Sequence, residues 1–223
     1  MATLNPHRPE WVRWIPAAIL LVVIVGAVLV AAIMGPRLAA GPGPAGDDQV
    51  TDLNWSVFTE QGLRFIDDAR TPRIDLSSPP VDAAELGLPA VGSLTVGPHP
   101  TGLDYRLVLI AIEGEPNGAL FTTPQFTVTT SGGQLASVRV EERGSLTFTN
   151  AFLEVSERVP DLGFTAPPAR DLAQAIADAR ESGRPEVVRS DTGSAAGMDV
   201  VAEVTCFGAG FCQVSYLVTP AVG

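Results

Sequence analysis

Residues 15–34 read IPAAILLVVIVGAVLVAAIM, twenty positions without a charge. As a helix rising about 1.5 Å per residue, such a run spans roughly 30 Å, the hydrocarbon thickness of a bilayer. No other stretch narrows the possible surroundings of the chain as much. Pro16 opens the run, where a missing N–H is tolerated. Trp11 and Trp14 precede it, where indole rings favour the headgroup level, and Arg8 and Arg13 lie on the same side. Beyond it Arg37 is the nearby basic residue, and Asp47 and Asp48 follow. This distribution predicts a cytoplasmic N-terminus, with Arg8, Trp11, Arg13 and Trp14 as interface anchors, and an outward-facing C-terminal part. The run exceeds the roughly 7–15 residue apolar region of a cleaved signal peptide, so it reads as an uncleaved signal-anchor of a single-pass protein.

Four segments follow from this reading: a cytoplasmic tail (1–14), a transmembrane helix (15–35), a Gly/Pro/Ala linker (36–49) and an extracytoplasmic domain (50–223). Of the 25 acids, 24 lie beyond residue 35, against 12 of the 14 arginines. An acidic domain repels the phosphates that nucleic-acid binding must neutralise, so no nucleic-acid partner is expected. The chain contains no lysine, which removes Schiff-base, Ser-Lys and P-loop chemistry. Arginine-only basicity with heavy Ala, Gly, Pro and Val usage points to a GC-rich, bacterial genome.

From Val50 the pattern becomes short apolar runs between turn residues. LDYRLVLIAIEG (103–114) is a continuous aliphatic run and reads as a strand buried on both faces. PQFTVTT (124–130) and ASVRVEE (136–142) alternate, with Phe126, Val128, Val138 and Val140 inward and SGG (131–133) as the break. SLTFTN (145–150) and FLEVSERV (152–159) carry the Thr, Phe and Val usage of further strands. ARDLAQAIADARESG (169–183) is helical, with Leu172, Ala175, Ile176 and Ala179 on one stripe and Gly183 as terminator. PEVVRS (185–190), MDVVAEVTC (198–206) and CQVSYLV (212–218) complete the set. The expected fold is α+β: a mostly antiparallel domain of about seven or eight strands with one main helix. The proline-rich segment 51–100 shows no clear period.

The sequence offers little chemistry. Its histidines are His7, on the N-terminal tail, and His99; Cys206, Cys212 and His99 fall short of the about four ligands of a structural zinc. The loop DTGSAAGMD (191–199) lacks the alternating carboxylates of a calcium site. EVTC (203–206) resembles the end of the sortase signature, but the leading Thr-Leu is missing and no arginine follows Cys206. The carboxylate pairs Asp67/Asp68, Glu113/Glu115, Glu141/Glu142 and Glu154/Glu157 read as solvated surface pairs. No catalytic residue, metal or cofactor is assigned.

Cys206 and Cys212 are the only cysteines. In an outward domain an even count reads as a disulfide. Alternation puts Cys206 with Val200, Ala202 and Val204, and Cys212 with Val214, Tyr216 and Val218, so the pair closes a hairpin whose tip carries Phe207 and Phe211 as a contact surface. The expected function is a membrane-anchored, non-enzymatic binding or scaffolding component of a cell-envelope assembly, with the bilayer and other membrane or envelope proteins as partners. The alternatives are an envelope small-ligand or lipid carrier, which requires a sizeable apolar pocket, and an envelope enzyme of unrecognised type.

Overall fold

The computed structural model describes residues 56–76, 78–110, 119–195 and 197–220. The apolar run 15–34, the anchors Arg8, Trp11, Arg13 and Trp14, the linker and the pair Glu113/Glu115 lie outside the described residues. Among those described, no helix is long and apolar enough to cross a membrane.

The described part is an antiparallel β-rich domain with three helices. Helix α1 (Glu60–Ala69) begins at Thr59, whose hydroxyl accepts from the Gly62 N–H at 3.1 Å, and it buries Gly62 and Ile66. The period-poor segment that contains it also yields two short strands, β1 (Arg73–Asp75) and β2 (Gly92–Val96). They are followed by β3 (Tyr105–Ile110), β4 (Ala119–Thr123), β5 (Gln125–Ser131), β6 (Gln134–Glu141) and β7 (Leu146–Thr147). Helices α2 (Phe148–Leu162) and α3 (Ala169–Ser182) come next, then β8 (Glu186–Arg189), β9 (Gly193–Ala195), β10 (Met198–Cys206) and β11 (Phe211–Pro220).

Two sheets form. In the small one, β1 lies parallel to β3 and β3 antiparallel to β4. The large one runs β2-β5-β6-β11-β10-β8, with β7 on β11 and β9 on β10, and all its pairings are antiparallel. Phe126, Val128, Val138, Val140, Val204 and Tyr216 bury on one face of the large sheet. The small sheet packs there through Tyr105 and Phe121, whose rings lie 6.2 Å from Phe126 and 6.0 Å from Tyr216. Further along that face α2 and α3 pack over β10, and α2 also over β11, burying Ala151, Val155, Leu172, Ala175 and Ala179. Among the described residues no element covers the opposite face, where Thr95, Gln213 and Val187 are exposed and Thr127 and Arg139 half-buried.

Three expectations are corrected. Residues 148–162 are a helix, where the strand at 152–159 and the end of the strand at 145–150 were expected; the start of the latter forms β7. Strand propensity yields here to burial at helical spacing: Ala151, Val155 and Leu162 share one face, and the Thr147 hydroxyl caps the start. β3 is not buried on both faces, for Tyr105, Leu107 and Leu109 are inside while Arg106 is exposed, because among the described residues the small sheet has one partner layer. The described residues also hold eleven strands and three helices, more than the seven or eight strands and one main helix expected. By contrast, β5, β6, β8, β10, β11 and α3 form within a few residues of their sequence positions.

Candidate functional site

The hairpin β10–β11 carries the two cysteines in direct register, and they are disulfide-bonded and fully buried. Phe207 and Phe211 follow the bridge on the turn side, half-buried, their rings stacked with centroids 4.7 Å apart. The Phe207 N–H donates to the Phe211 carbonyl at 2.9 Å, so the two rings are held beside each other at the base of the turn. The turn leans on the end of α3: Arg180 Nε donates to the Gly208 carbonyl at 3.2 Å. A Cβ on Gly208 would lie 2.7 Å from the Arg180 Cα, so only glycine permits this approach.

On the open face, β10 places Glu203 opposite Arg189 of β8 and Ser215 of β11. Arg189 Nε donates to its carboxylate at 2.6 Å, and Arg139 of β6 reaches both that carboxylate and, at 2.9 Å, the Ser215 hydroxyl. Burial pushes Glu203 up, but the hydrogen bonds and charges of Arg189 and Arg139 outweigh it and hold the carboxyl below its usual range. A folded pKa below the unfolded one means that this stabilisation is present above the unfolded carboxylate range and is lost as pH falls through the folded pKa. The arginines keep 36% and 65% of their side-chain surface, so the contribution is discounted for screening. Glu203→Gln is expected to cost about 1 kcal/mol at neutral pH and to flatten the loss of thermal stability between about pH 5 and pH 3. Thermal midpoints of both proteins over that range check this, and an acid limb of equal slope in the variant contradicts it.

On the packed side, Glu142 follows the end of β6, and α2 presents Glu154 and Arg158. Arg158 lies 3.4 Å from each carboxylate, through Nη2 to Glu142 and Nε to Glu154. The Tyr216 hydroxyl is buried beside them and makes no hydrogen bond of ordinary geometry among the described residues, although the Arg158 guanidinium faces it loosely. Burial, then the charges of Glu154 and Glu142, push the Tyr216 phenol well above its ordinary value. Glu142 keeps 14% of its side-chain surface, so it departs from the solvated surface pair expected of Glu141/Glu142, and Glu154 is likewise half-buried.

His99 is half-buried, with Nδ1 2.7 Å from the Thr101 hydroxyl and Nε2 3.1 Å from the Asp67 carbonyl. The Asp67 carboxylate accepts from the Tyr105 hydroxyl at 2.6 Å, which ties α1 to β3 and again departs from a solvated pair. The contacts of His99 thus involve neither an arginine nor a cysteine, and both cysteines are committed to the bridge. Among the described residues no group of three or more His, Cys, Asp or Glu is placed to hold a metal ion. A cavity of about 360 Å³ lies beside β1, lined by Asp75, Asp82 and Glu85 together with Pro80, Val81 and Leu86. Its three carboxylates make it a poor receptacle for an acyl chain.

Of the residues singled out in the sequence, the structure joins Cys206 to Cys212 and Phe207 to Phe211. The two polar clusters were not legible there. Arg139 and Ser215 are 76 residues apart, and only strand order brings them together. Comparison with known protein families, with curated proteins and with solved structures finds no match to this chain.

Proposed function

We propose that this chain is a single-pass membrane protein whose N-terminus is cytoplasmic and whose disulfide-closed β-rich domain lies outside, acting as a non-enzymatic binding or scaffolding component of a cell-envelope assembly. The observation that carries the reading is the uncharged run 15–34 with Arg8, Trp11, Arg13 and Trp14 on one side of it. The Cys206–Cys212 bond supports the outward placement, because disulfides persist in oxidising compartments. A binding role is supported by the open sheet face, where Arg139 and Arg189 are fixed from two strands by the buried Glu203 carboxylate while keeping part of their own surface exposed. The stacked Phe207 and Phe211 add an aromatic patch beside the bridge.

A reporter that is active only outside the cytoplasm, fused after Gly223, is expected to be active, and a cytoplasm-only reporter silent. The reverse pattern overturns the reading. Copurification of the full chain from detergent-solubilised membranes is expected to bring membrane or envelope proteins with it, and Arg139→Ala with Arg189→Ala is expected to weaken that recovery. Turnover of an envelope substrate by the purified chain, abolished by a single substitution, contradicts the non-enzymatic part.

A further inference from the structure

We propose that Glu142, Glu154, Arg158 and Tyr216 form a proton-binding site that sets how firmly α2 is held on the sheet. The inference is independent of where the protein resides. It starts from a charge mismatch: one guanidinium lies 3.4 Å from two carboxylates, all three being more than two-thirds buried. A single arginine neutralises one of them. The groups that face Glu142 come from three elements. The strand end after β6 contributes the Arg143 backbone N–H, α2 contributes Glu154 and Arg158, and β11 contributes Tyr216. The rings of Phe121 and Phe164 against Tyr216 bring no charge. The neighbouring cation, Arg143, is turned away to Asp104 and the Gly102 carbonyl. Glu141 faces elsewhere, toward Arg139 and Glu203.

A second negative charge in this place is relieved most simply by a proton from solvent. Glu142 then becomes a neutral carboxylic acid and leaves Arg158 and Glu154 as a one-to-one ion pair. The Tyr216 hydroxyl, buried beside them with no hydrogen bond of ordinary geometry among the described residues, adds a polar group to the cluster but no countercharge. The electrostatics agree. Burial, followed by the charge of Glu154, raises Glu142 to about 7 against the opposing pull of Arg158 and the Arg143 N–H. A carboxyl whose folded pKa is raised contributes stability that is present below the unfolded pKa and is lost as pH rises to the folded one. The sign is therefore opposite to that of Glu203. α2, which carries two of the four groups, is the element released.

The test is amide hydrogen exchange of the full chain, read at α2 and corrected for the intrinsic dependence on pH. Opening of α2 is expected to be about tenfold more frequent at pH 8 than at pH 6, since a tenfold change corresponds to one pKa unit of differential proton binding. In Glu142→Gln the difference is expected to vanish, whereas Glu141→Gln should retain it. Equal exchange at the two pH values in the unsubstituted protein, or an undiminished difference in Glu142→Gln, overturns the proposal. Should Glu142→Gln fail to fold, infrared spectroscopy of the unsubstituted chain with labelled glutamate decides. A protonated-carboxyl band that persists at pH 6 and is gone by pH 8 supports the site, and its absence at pH 6 refutes it.

Discussion

Replacing Gly193 by alanine is expected to cost about 3 kcal/mol or more, a large share of the roughly 5–15 kcal/mol that a whole domain holds. Gly193 opens β9, which crosses the end of α2 with backbone against backbone. A Cβ there would stand 2.2 Å from the Phe164 nitrogen, 2.4 Å from the Leu162 carbonyl oxygen and 2.6 Å from the Gly163 carbonyl carbon. No side chain can rotate to relieve the clash, so β9 or the helix end must move. That displacement would also disturb Phe164, whose ring stacks on Tyr216 at 6.2 Å in the core. Gly144→Ala is the informative comparison: its positive φ of 76° penalises a side chain, but nothing lies within 4 Å of the added carbon. There the cost is expected to be only about 1–2 kcal/mol. Denaturant unfolding of both variants checks the pair, and equal midpoints would show that the crossing of β9 and α2 is looser than described.

Removing the disulfide is expected to lower stability by roughly 2–2.5 kcal/mol, the chain entropy of the short loop it closes. The bridge joins Cys206 and Cys212 at a sequence separation of 6, and both lie in the core. Cys206→Ala with Cys212→Ala removes the crosslink and leaves two small residues between β10 and β11, whose pairing continues from Thr205↔Gln213 to Met198↔Pro220. The hairpin is therefore expected to survive and the transition to shift. Native protein treated with a thiol reagent, without reductant, should show no reactive cysteine. Two free thiols per chain would refute the bridge, and an unchanged unfolding midpoint in the double variant would refute its contribution.

Much of the strand pattern was legible because an antiparallel sheet with one wet face stamps its period on the sequence. Phe126, Val128, Val138 and Val140 point one way while Thr127 and Arg139 point the other, and the Gly132–Gly133 turn between them takes positive φ. The same alternation in β10 and β11 set the cysteines opposite each other. α3 was legible from Leu172, Ala175 and Ala179, with Gly183 closing it in the left-handed region. α2 was not, because its Thr, Phe and Val residues favour strands when considered singly, and the burial of Ala151, Val155 and Leu162 exists only once the sheet is there to cover. α1, β1 and β2 were obscured by a segment rich in proline, where no period develops over enough residues.

By itself the sequence determined the charge balance, the uncharged run at the N-terminal end, the α+β class with its antiparallel strands, and the pairing of the last two strands through their cysteines. These depend on composition and on neighbours close along the chain. The tertiary structure alone decided which face of the large sheet stays open, that Glu203 sits between Arg139 and Arg189, and that Glu142 and Glu154 share Arg158 beside the buried Tyr216 hydroxyl. Strand order and helix docking bring those charges together from distant positions, and the strength of a charge depends on the burial that only packing creates.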